Sequence, residues 1–184
     1  MNNAARSVLV IIDMISTWDF PDAEKLLPAA VAVAPRLARL KARCRAAGVP
    51  VIYANDNLGR WRSDFRQLVM QSLGGGGAGA AVTEQLAPHP DDYFLLKPKH
   101  SAFFATPLEL LLQELQAARL IVTGVASDQC VLATVADARM RDRQAVVPSD
   151  CVGSQTPARA RAALQHFRQV LKIPTTPSAR LRLR

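Results

Sequence analysis

Length, composition and charge place this chain among single globular domains. It has 184 residues, of which 49% are hydrophobic and 21% are charged. These values exclude a chain that is disordered over most of its length, and they allow a sizeable core within one domain spanning residues 1–184. The formal net charge is +8, but Pro157 to the C-terminus holds seven Lys or Arg and no Asp or Glu, so only +1 remains for the preceding residues.

The two ends of the chain bear on its location and partners. The apolar run that follows Arg6 is about six residues long, too short for a signal peptide or a membrane span, so we expect a cytoplasmic protein without a membrane partner. The basic segment 178–184 is expected to be a flexible, solvated tail. Contact of this tail with phosphates or acidic lipids is the alternative, and nucleic acid is not expected as a partner.

Short apolar runs alternate along the chain with longer helical patterns, as in the βαβ units that build a parallel sheet. The nearly continuous apolar character of the short runs is typical of strands buried on both faces. The predicted strands are Val8–Asp13, Val51–Asn55, Tyr93–Lys97, Leu120–Thr123, Ala145–Pro148 and Val170–Ile173. The predicted helices are Ala23–Ala47, Asp64–Leu73, Pro107–Ala117, Asp128–Arg141 and Pro157–Phe167.

Proline and glycine indicate where these elements break. Pro28 and Pro35 are expected to split or kink the first helix. The segment 74–81, GGGGAGAA, is of low complexity, follows no strand and lacks the Lys-Ser/Thr ending of a phosphate-binding loop. It is therefore predicted to be a flexible connector.

Ligands of open α/β sheets bind beyond the carboxyl ends of the strands, so polar residues at those ends are the first candidates for chemistry. Asp13 ends the first predicted strand and Lys97 ends the third. Because Asp13 follows five apolar residues, its carboxylate is expected at the rim of the sheet. The alternative is that Asp13 only forms a turn or caps a helix. Lys97 would need a carboxylate partner if it pointed inward, and a surface lysine whose stem covers apolar side chains is the alternative.

The three cysteines, Cys44, Cys130 and Cys151, are too few and too scattered for a disulfide framework or a zinc site. Cys130 falls in the first turn of the helix after the fourth strand, where free amides and the helix dipole lower a thiol pKa and can hold an oxyanion. We therefore expect a thiolate at neutral pH, and a cysteine that only packs is the alternative. Cys44 and Cys151 lack this setting and are expected to be structural.

The histidines do not suggest a metal site. His89, His100 and His166 are not paired at the spacing of metal ligands. None of them follows a strand next to Cys130, which disfavours a Cys–His dyad, although His100 is near enough to Lys97 in sequence to reach the same rim. The candidates for chemistry are therefore a carboxylate, a lysine and a thiol.

Three segments carry these candidates, and together they resemble the isochorismatase-like cysteine hydrolases. VLVIIDM, residues 8–14, is similar to the opening strand and catalytic aspartate of that family. KPKHSAF, residues 97–103, resembles a segment in which a lysine precedes an Arg-Tyr-Ser-Ala-Phe-like stretch, which selects Lys97 rather than Lys99. TGVASDQCV, residues 123–131, resembles the nucleophile motif, usually Gly-Val-Ala-Thr-Asp-x-Cys-Val. Order and spacing match from about Ser7 to Thr156.

The resemblance implies a Rossmann-like, three-layer α/β/α fold whose six-stranded parallel sheet has the order 3-2-1-4-5-6, and it implies a homo-oligomer. It implies that Asp13, Lys97 and Cys130 form a catalytic triad that acts on a small-molecule substrate and uses no cofactor. A cis peptide bond is implied between Val125 and Ala126. The backbone amides of Ala126 and Cys130 are then the implied oxyanion hole.

Two departures from the family pattern bear on the substrate. Nicotinamidases of the superfamily hold a metal through an Asp-x-His pair, whereas residues 55–58 read Asn-Asp-Asn-Leu, so a metal-dependent nicotinamidase is not expected. After Asp13 the family often has Gln-x-x-Phe, which this chain lacks. A loop over residues 57–65 is expected to cover the pocket, with Trp61 and Arg62 in contact with the substrate. The alternative is that both are ordinary surface residues. The predicted substrate contacts are Trp18, Phe20, Asn57, Trp61 and Arg62.

The expected function is that of a metal-independent cysteine hydrolase. It would cleave a small carboxamide or ureido C–N bond through a thioester on Cys130, with Asp13 carrying the proton and Lys97 stabilising the charge. One alternative is hydrolysis of a vinyl ether of the isochorismatase type, which needs an acid but no thiol. The other alternative is a catalytically silent member of the family that serves in binding or assembly.

Overall fold

The computed structural model describes residues 6–62 and 64–183 and shows a central sheet between two layers of helices. Its strands are β1 Arg6–Ile12, β2 Val51–Asp56, β3 Tyr93–Lys97, β4 Ala117–Val125, β5 Gln144–Val146 and β6 Val152–Gly153. Its helices are α1 Ala23–Ala46, α2 Phe65–Gly74, α3 Gly77–Gln85, α4 Leu108–Glu114, α5 Cys130–Met140 and α6 Pro157–Gln169, and a 3₁₀ helix covers Ser178–Arg180. Within the described residues, no helix has the length and apolar character that a membrane crossing requires.

The sheet is parallel throughout and has the order β3-β2-β1-β4-β5. β5 pairs with β4 at Arg119–Ile121, and β6 pairs with the same strand further along, at Gly124 and Val125. The predicted three-layer fold with a six-stranded parallel sheet is therefore confirmed. β6 therefore pairs with β4, further along that strand than β5 does. The predicted order would instead have placed β6 next to β5 as a new edge strand.

The prediction of a sixth strand at Val170–Ile173 is wrong. The amides of Val170 and Leu171 donate to the carbonyl of His166, and the amide of Ile173 donates to the carbonyl of Phe167. These bonds close the end of α6, so the amides are not available for a strand ladder. The apolar side chain of Ile173 is buried against the core instead.

β1 is buried on both faces, which explains its uninterrupted apolar sequence. Leu9 and Ile11 pack against the layer that contains α1, α2 and α3. Val8, Val10 and Ile12 pack against the layer that contains α4, α5 and α6. Alternate side chains of one strand thus enter opposite cores, and the polar residue that follows β1 lies at the sheet rim.

Two expectations about helix breakers are corrected: a split of the first helix and a flexible glycine-rich connector. α1 continues through Pro28 and Pro35, because its buried face packs against the sheet on both sides of each proline. Most of the glycine-rich segment, predicted as a flexible connector, belongs to α2 and α3. Gly79 in α3 lies against the indole of Trp18, where any Cβ would collide, so the small residues serve close packing.

The basic C-terminal segment, predicted as a flexible tail, is docked as far as it is described. The backbone amide and the hydroxyl of Ser178 each donate to the Asp150 carboxylate at 2.7 Å. Arg43 donates to the carbonyls of Ser178 and Leu181 at 2.6 and 3.1 Å, and the Leu181 side chain is only 6% exposed. Burial of this leucine and a carboxylate that accepts two bonds hold the segment in place. Arg184 lies outside the described residues.

Candidate active site

The carboxyl ends of β1, β3 and β4 bring three functional side chains to one rim of the sheet. Asp13 directly follows β1, Lys97 is the last residue of β3, and Cys130 is the first residue of α5, which follows β4. The close approach of β1 and β4 at this rim requires a glycine, because a Cβ on Gly124 would collide with the backbone of Ile12. Gly124 also has a φ of 105°, which L side chains rarely adopt.

Lys97 is the centre of the cluster and is completely buried. Its Nζ lies 2.9 Å from Oδ2 of Asp13, 3.6 Å from Oδ2 of Asp56 and 3.5 Å from Sγ of Cys130. Burial by itself lowers the pKa of a lysine, but the neighbouring carboxylates, Asp13 more than Asp56, outweigh burial and raise the pKa of Lys97 above its ordinary value. Lys97 is therefore a fixed positive charge rather than a proton carrier.

Asp13 is held in place through both carboxylate oxygens. Oδ1 accepts a hydrogen bond of 2.7 Å from the backbone amide of Asp56, and Oδ2 forms the ion pair with Lys97. The backbone amide of Asp13 donates to the carbonyl of Ala54, and its φ is 53°, a left-handed conformation. This conformation turns the chain out of β1 and leaves the carboxylate at the rim, as the sequence predicted.

The surroundings of the Cys130 thiol favour its protonated form, contrary to the expectation of a thiolate at neutral pH. The pKa of Cys130 is raised, first by burial and then by the neighbouring Asp13 charge, and Lys97 opposes this only in part. Two carboxylates, of Asp13 and Asp56, surround one ammonium here, so a third negative charge is unfavourable despite the helix N-terminus. A base must therefore remove the thiol proton before Cys130 can attack.

His100 reaches the thiol, a contact that its sequence position alone did not predict. Its Nδ1 lies 3.5 Å from Sγ of Cys130, and its ring is exposed where it lines the cavity over the thiol. The loop between β3 and α4 carries it back over the rim. The one signal in the sequence for this contact was the nearness of His100 to Lys97.

The backbone that leads into α5 bears on the implied oxyanion hole. The peptide bond between Val125 and Ala126 is cis, as predicted from the family resemblance. The carbonyl of Ala126 accepts bonds from the amides of Gln129 and Val131. Within residues 6–62 and 64–183, no backbone acceptor pairs with the amide of Ala126 or with that of Cys130. Both amides are therefore available to an oxygen atom placed near the thiol.

A cavity of about 190 Å³ opens over the thiol. Its polar lining includes Asp13, Asp56, His100, Gln129 and the thiol of Cys130. Its apolar lining is formed by Ile15, Phe20, Leu26, Leu58, Leu68 and Val125. A mostly apolar recess with a few convergent polar groups is the usual form of a small-molecule site.

Asn55 lies in the wall of this cavity and is 1% exposed. Its Nδ2 donates to the carbonyl of Ile15 at 2.6 Å, which assigns the other side-chain atom as the oxygen. In the described part of the chain this oxygen has no hydrogen-bond partner. A buried acceptor without a donor is costly, so its place in the cavity wall favours a ligand that supplies an N–H or O–H.

The predicted substrate contacts divide into one that lines the cavity and four that do not. Phe20 lines it. Trp18 packs behind Phe20, with ring centroids 6.0 Å apart, and its indole faces Gly79. Asn57 is buried, and its Oδ1 accepts from the amide of Gly59, so it shapes the loop.

Trp61 and Arg62 are the other two that lie away from the cavity. They line a separate surface depression together with Gly59, Arg60, Gln67 and Gln71. Trp61 is 79% exposed, and Arg60 forms an ion pair with Asp19. Leu58 of the same loop lines the cavity, but the loop places Trp61 and Arg62 on its outer side, so the prediction that these two side chains meet the substrate is corrected here.

Asp56 is a cavity residue that sequence analysis considered only as part of an absent metal motif. Its Oδ1 accepts from the amide of Leu58 at 2.7 Å, and its Oδ2 faces Lys97. Among the residues that the structure describes, no group of three or more His, Cys, Asp or Glu side chains is arranged to hold a metal ion. Asp56 therefore acts as a second carboxylate partner of the buried lysine.

Comparisons with known proteins agree with this fold. Residues 7–178 match the family model described as the Isochorismatase domain. The uncharacterized isochorismatase family protein YaaI of Bacillus subtilis is 36% identical over 167 residues, which cover 91% of each chain. N-carbamoylsarcosine amidase of an Arthrobacter species is 27% identical over 164 residues, which cover 83% of this chain and 61% of that protein.

A solved structure leads to the same family. An isochorismatase family protein from Desulfovibrio vulgaris superimposes with a TM-score of 0.74 and 26% identity, and the match covers 95% of both chains. The family model alone spans most of this chain, and the relatives match along nearly its whole length. The chain therefore belongs to the isochorismatase-like hydrolase superfamily.

Proposed function

We propose that this protein is a cysteine hydrolase that cleaves a small carboxamide or ureido C–N bond through a thioester on Cys130. The observation that carries the proposal is the contact of Cys130 with Lys97, and of Lys97 with Asp13, at the wall of an apolar cavity. Thiol, cation and carboxylate are the groups that nucleophilic acyl transfer needs. Among its relatives, the protein named N-carbamoylsarcosine amidase supports an amide as the bond that is cleaved.

The first half of the reaction forms the thioester. Asp13 accepts the proton of the Cys130 thiol, whose raised pKa keeps it protonated until a carbonyl carbon is in reach. Sulfur attacks that carbon, and the carbonyl oxygen becomes an oxyanion held by the amides of Ala126 and Cys130. The C–N bond then breaks, and the nitrogen leaves with the proton that Asp13 carried.

The second half returns the enzyme to its starting state. Water attacks the thioester carbon and gives its proton to Asp13, the same amides hold the oxyanion, and the C–S bond breaks to release the acid product. The sulfur leaves as a thiolate and takes the proton back from Asp13. Lys97 keeps one positive charge beside Asp13 and Cys130 throughout, so the negative charge that moves between them stays compensated. Because Lys97 supplies this charge, the proposed route requires no metal.

The test is to capture the acyl-enzyme. A panel of primary amides and ureido compounds is screened by ammonia release, and the best substrate is mixed with enzyme and quenched in acid within milliseconds. Intact-protein mass spectrometry should then show an adduct of the acyl mass, and peptide mapping should place it on Cys130. Cys44→Ala is the matched control, since Cys44 is a buried thiol within α1, and it should retain the adduct. Ammonia release that never produces an adduct on Cys130 would contradict the thioester route.

A further inference from the structure

We infer that this site takes an uncharged carboxamide with an apolar acyl group about as large as a six-membered ring, and that it discriminates against substrates that carry a carboxylate. The inference rests on the proposed function, because it names the substrate class for that reaction. Three features of the cavity carry it: its apolar wall, its balance of charge, and the unpaired oxygen of Asn55.

The size and apolar wall of the cavity fit a compact hydrocarbon group. An apolar cavity of about 150 Å³ in a protein core is large enough to bind benzene, and this cavity measures about 190 Å³. Leu26, Leu58 and Leu68 provide branched side chains around the space, and Phe20 provides a ring. A ring or a branched aliphatic chain would fill this space and remove apolar surface from water.

The charge at the cavity is unfavourable for an anion. Asp13 and Asp56 both line it, whereas Lys97 is completely buried beneath them and paired with both. Among the described residues that line the cavity there is no Arg and no Lys. A substrate carboxylate would lose its water and gain no cation in return, next to two carboxylates of the protein.

The remaining titratable groups at the cavity do not change this balance. His100 is directed at the thiol, with Nδ1 3.5 Å from Sγ. Arg60 is engaged with Asp19, and both Arg60 and Arg62 line the separate depression. An anion in the cavity would therefore not meet the guanidinium fork that carboxylate recognition usually uses.

Asn55 adds a requirement for a donor. Its unpaired side-chain oxygen is held in place by the bond from Nδ2 to Ile15, so it cannot turn away to find another partner. The NH₂ group of a primary carboxamide supplies the missing N–H, whereas a carboxylate offers only acceptors. The same group therefore satisfies Asn55 and identifies the bond to be cleaved.

The test uses two amides of equal heavy-atom count, isocaproamide and succinamate, in which an isopropyl group replaces a carboxylate. The wild-type enzyme should hydrolyse isocaproamide with a kcat/KM at least about tenfold higher than succinamate, since an unpaired buried charge is discriminated strongly. A kcat/KM for succinamate equal to or above that for isocaproamide would overturn the substrate class and leave the proposed reaction standing.

A charge variant tests the cause of the preference. Gln129 is exposed and lines the cavity next to Cys130, so Gln129→Lys places a cation where an anionic substrate would need one. The ratio of kcat/KM for succinamate over isocaproamide should rise about tenfold. Gln71→Lys makes the same charge change in the separate depression and should leave the ratio unchanged. An equal rise in both variants would contradict the inference.

Binding separates failure of the inference from failure of the reaction. If neither amide releases ammonia, ligand-observed NMR with Cys130→Ala compares the dissociation constants of the two amides without chemistry. Tighter binding of isocaproamide, at least about tenfold, would uphold the substrate class and refute hydrolysis. Equal binding, or tighter binding of succinamate, would overturn the inference itself. The measurement on wild-type enzyme and on Cys130→Ala remains decisive if Gln129→Lys does not fold.

Discussion

The cavity over Cys130 and the depression around Trp61 are built from the same loop and the same helix, yet they are chemically opposite. Leu58 and Leu68 line the cavity, whereas Trp61 and Gln71 line the depression. Along α2, Gln67 and Gln71 lie one turn apart on the outer face, and Leu68 lies on the inner face. Helical periodicity, rather than nearness to the catalytic segments in sequence, decides which side chains reach the substrate.

The difference in charge is equally instructive. The cavity has two carboxylates and an apolar wall, whereas the depression has two arginines and an exposed tryptophan. The stretch of sequence that contains the residues of both regions indicates a basic loop near a pocket. In the fold, the arginines face away from the pocket, and the carboxylate of Asp56 faces Lys97. The charge of a site thus depends on orientation, which composition near the site does not report.

The largest effect is expected from Cys130→Ala. Removing the attacking atom should lower kcat by at least about 10⁴-fold on the best amide, because the loss of a nucleophile removes the whole covalent route. Cys44→Ala and Cys151→Ala, which also remove buried thiols, should retain activity as long as the protein folds. Steady-state ammonia release measures all three.

Near wild-type turnover by Cys130→Ala would refute the acyl-enzyme. The cavity would still hold Asp13, so a reaction that begins with proton transfer to the substrate would become the better explanation. Vinyl-ether hydrolysis is of that kind, and an isochorismatase substrate would then be tested first.

A smaller effect is expected from Lys97→Met, measured as the reactivity of the Cys130 thiol. Lys97 is the charge that opposes the rise in the pKa of Cys130, so its loss should raise that pKa further and slow iodoacetamide labelling about tenfold. Lys41→Met is the control: Lys41 is also buried and paired with a carboxylate, that of Asp92, and lies away from the thiol. Site-resolved mass spectrometry gives the rate for Cys130, and faster labelling of Lys97→Met would contradict the assignment.

The same experiment has a defined pH dependence. The pKa of Cys130 lies above its ordinary value, so in wild-type protein the thiolate fraction should grow about tenfold per pH unit from about pH 6 to about pH 9. The labelling rate should rise accordingly without a plateau. A plateau below about pH 8 would show a depressed pKa and restore the thiolate expected from the helix N-terminus.

The smallest effect is expected on the outer side of the loop. Arg62→Ala should leave kcat/KM for both isocaproamide and succinamate within about twofold of wild type, because Arg62 lines the depression and not the cavity. Loss of about tenfold, selective for succinamate, would show that the loop brings its guanidinium to the substrate. The separation between the cavity over Cys130 and the depression around Trp61 would then be wrong.

The sequence by itself determined the framework of this protein. Uninterrupted apolar runs between helical patterns are compatible with strands buried on both faces, and a charged residue at the end of such a run has no stable place except the rim. Asp13 and Lys97 are predictable for this reason. Their ion pair of 2.9 Å follows once β1 and β3, which flank β2 in one parallel sheet, end at the same rim. Cys130 follows from the strand–turn–helix pattern and the family motif.

Only the tertiary structure decided the features that depend on neighbours distant in sequence. β6 has two residues, too few to show a period, and it forms because β4 extends past β5 and offers free partners. The segment after Ser178 is docked because Asp150 and Arg43 are nearby in space. The raised pKa of Cys130 has the same origin: the helix N-terminus is local and lowers a thiol pKa, but burial and the charge of Asp13, both set by the tertiary structure, raise it.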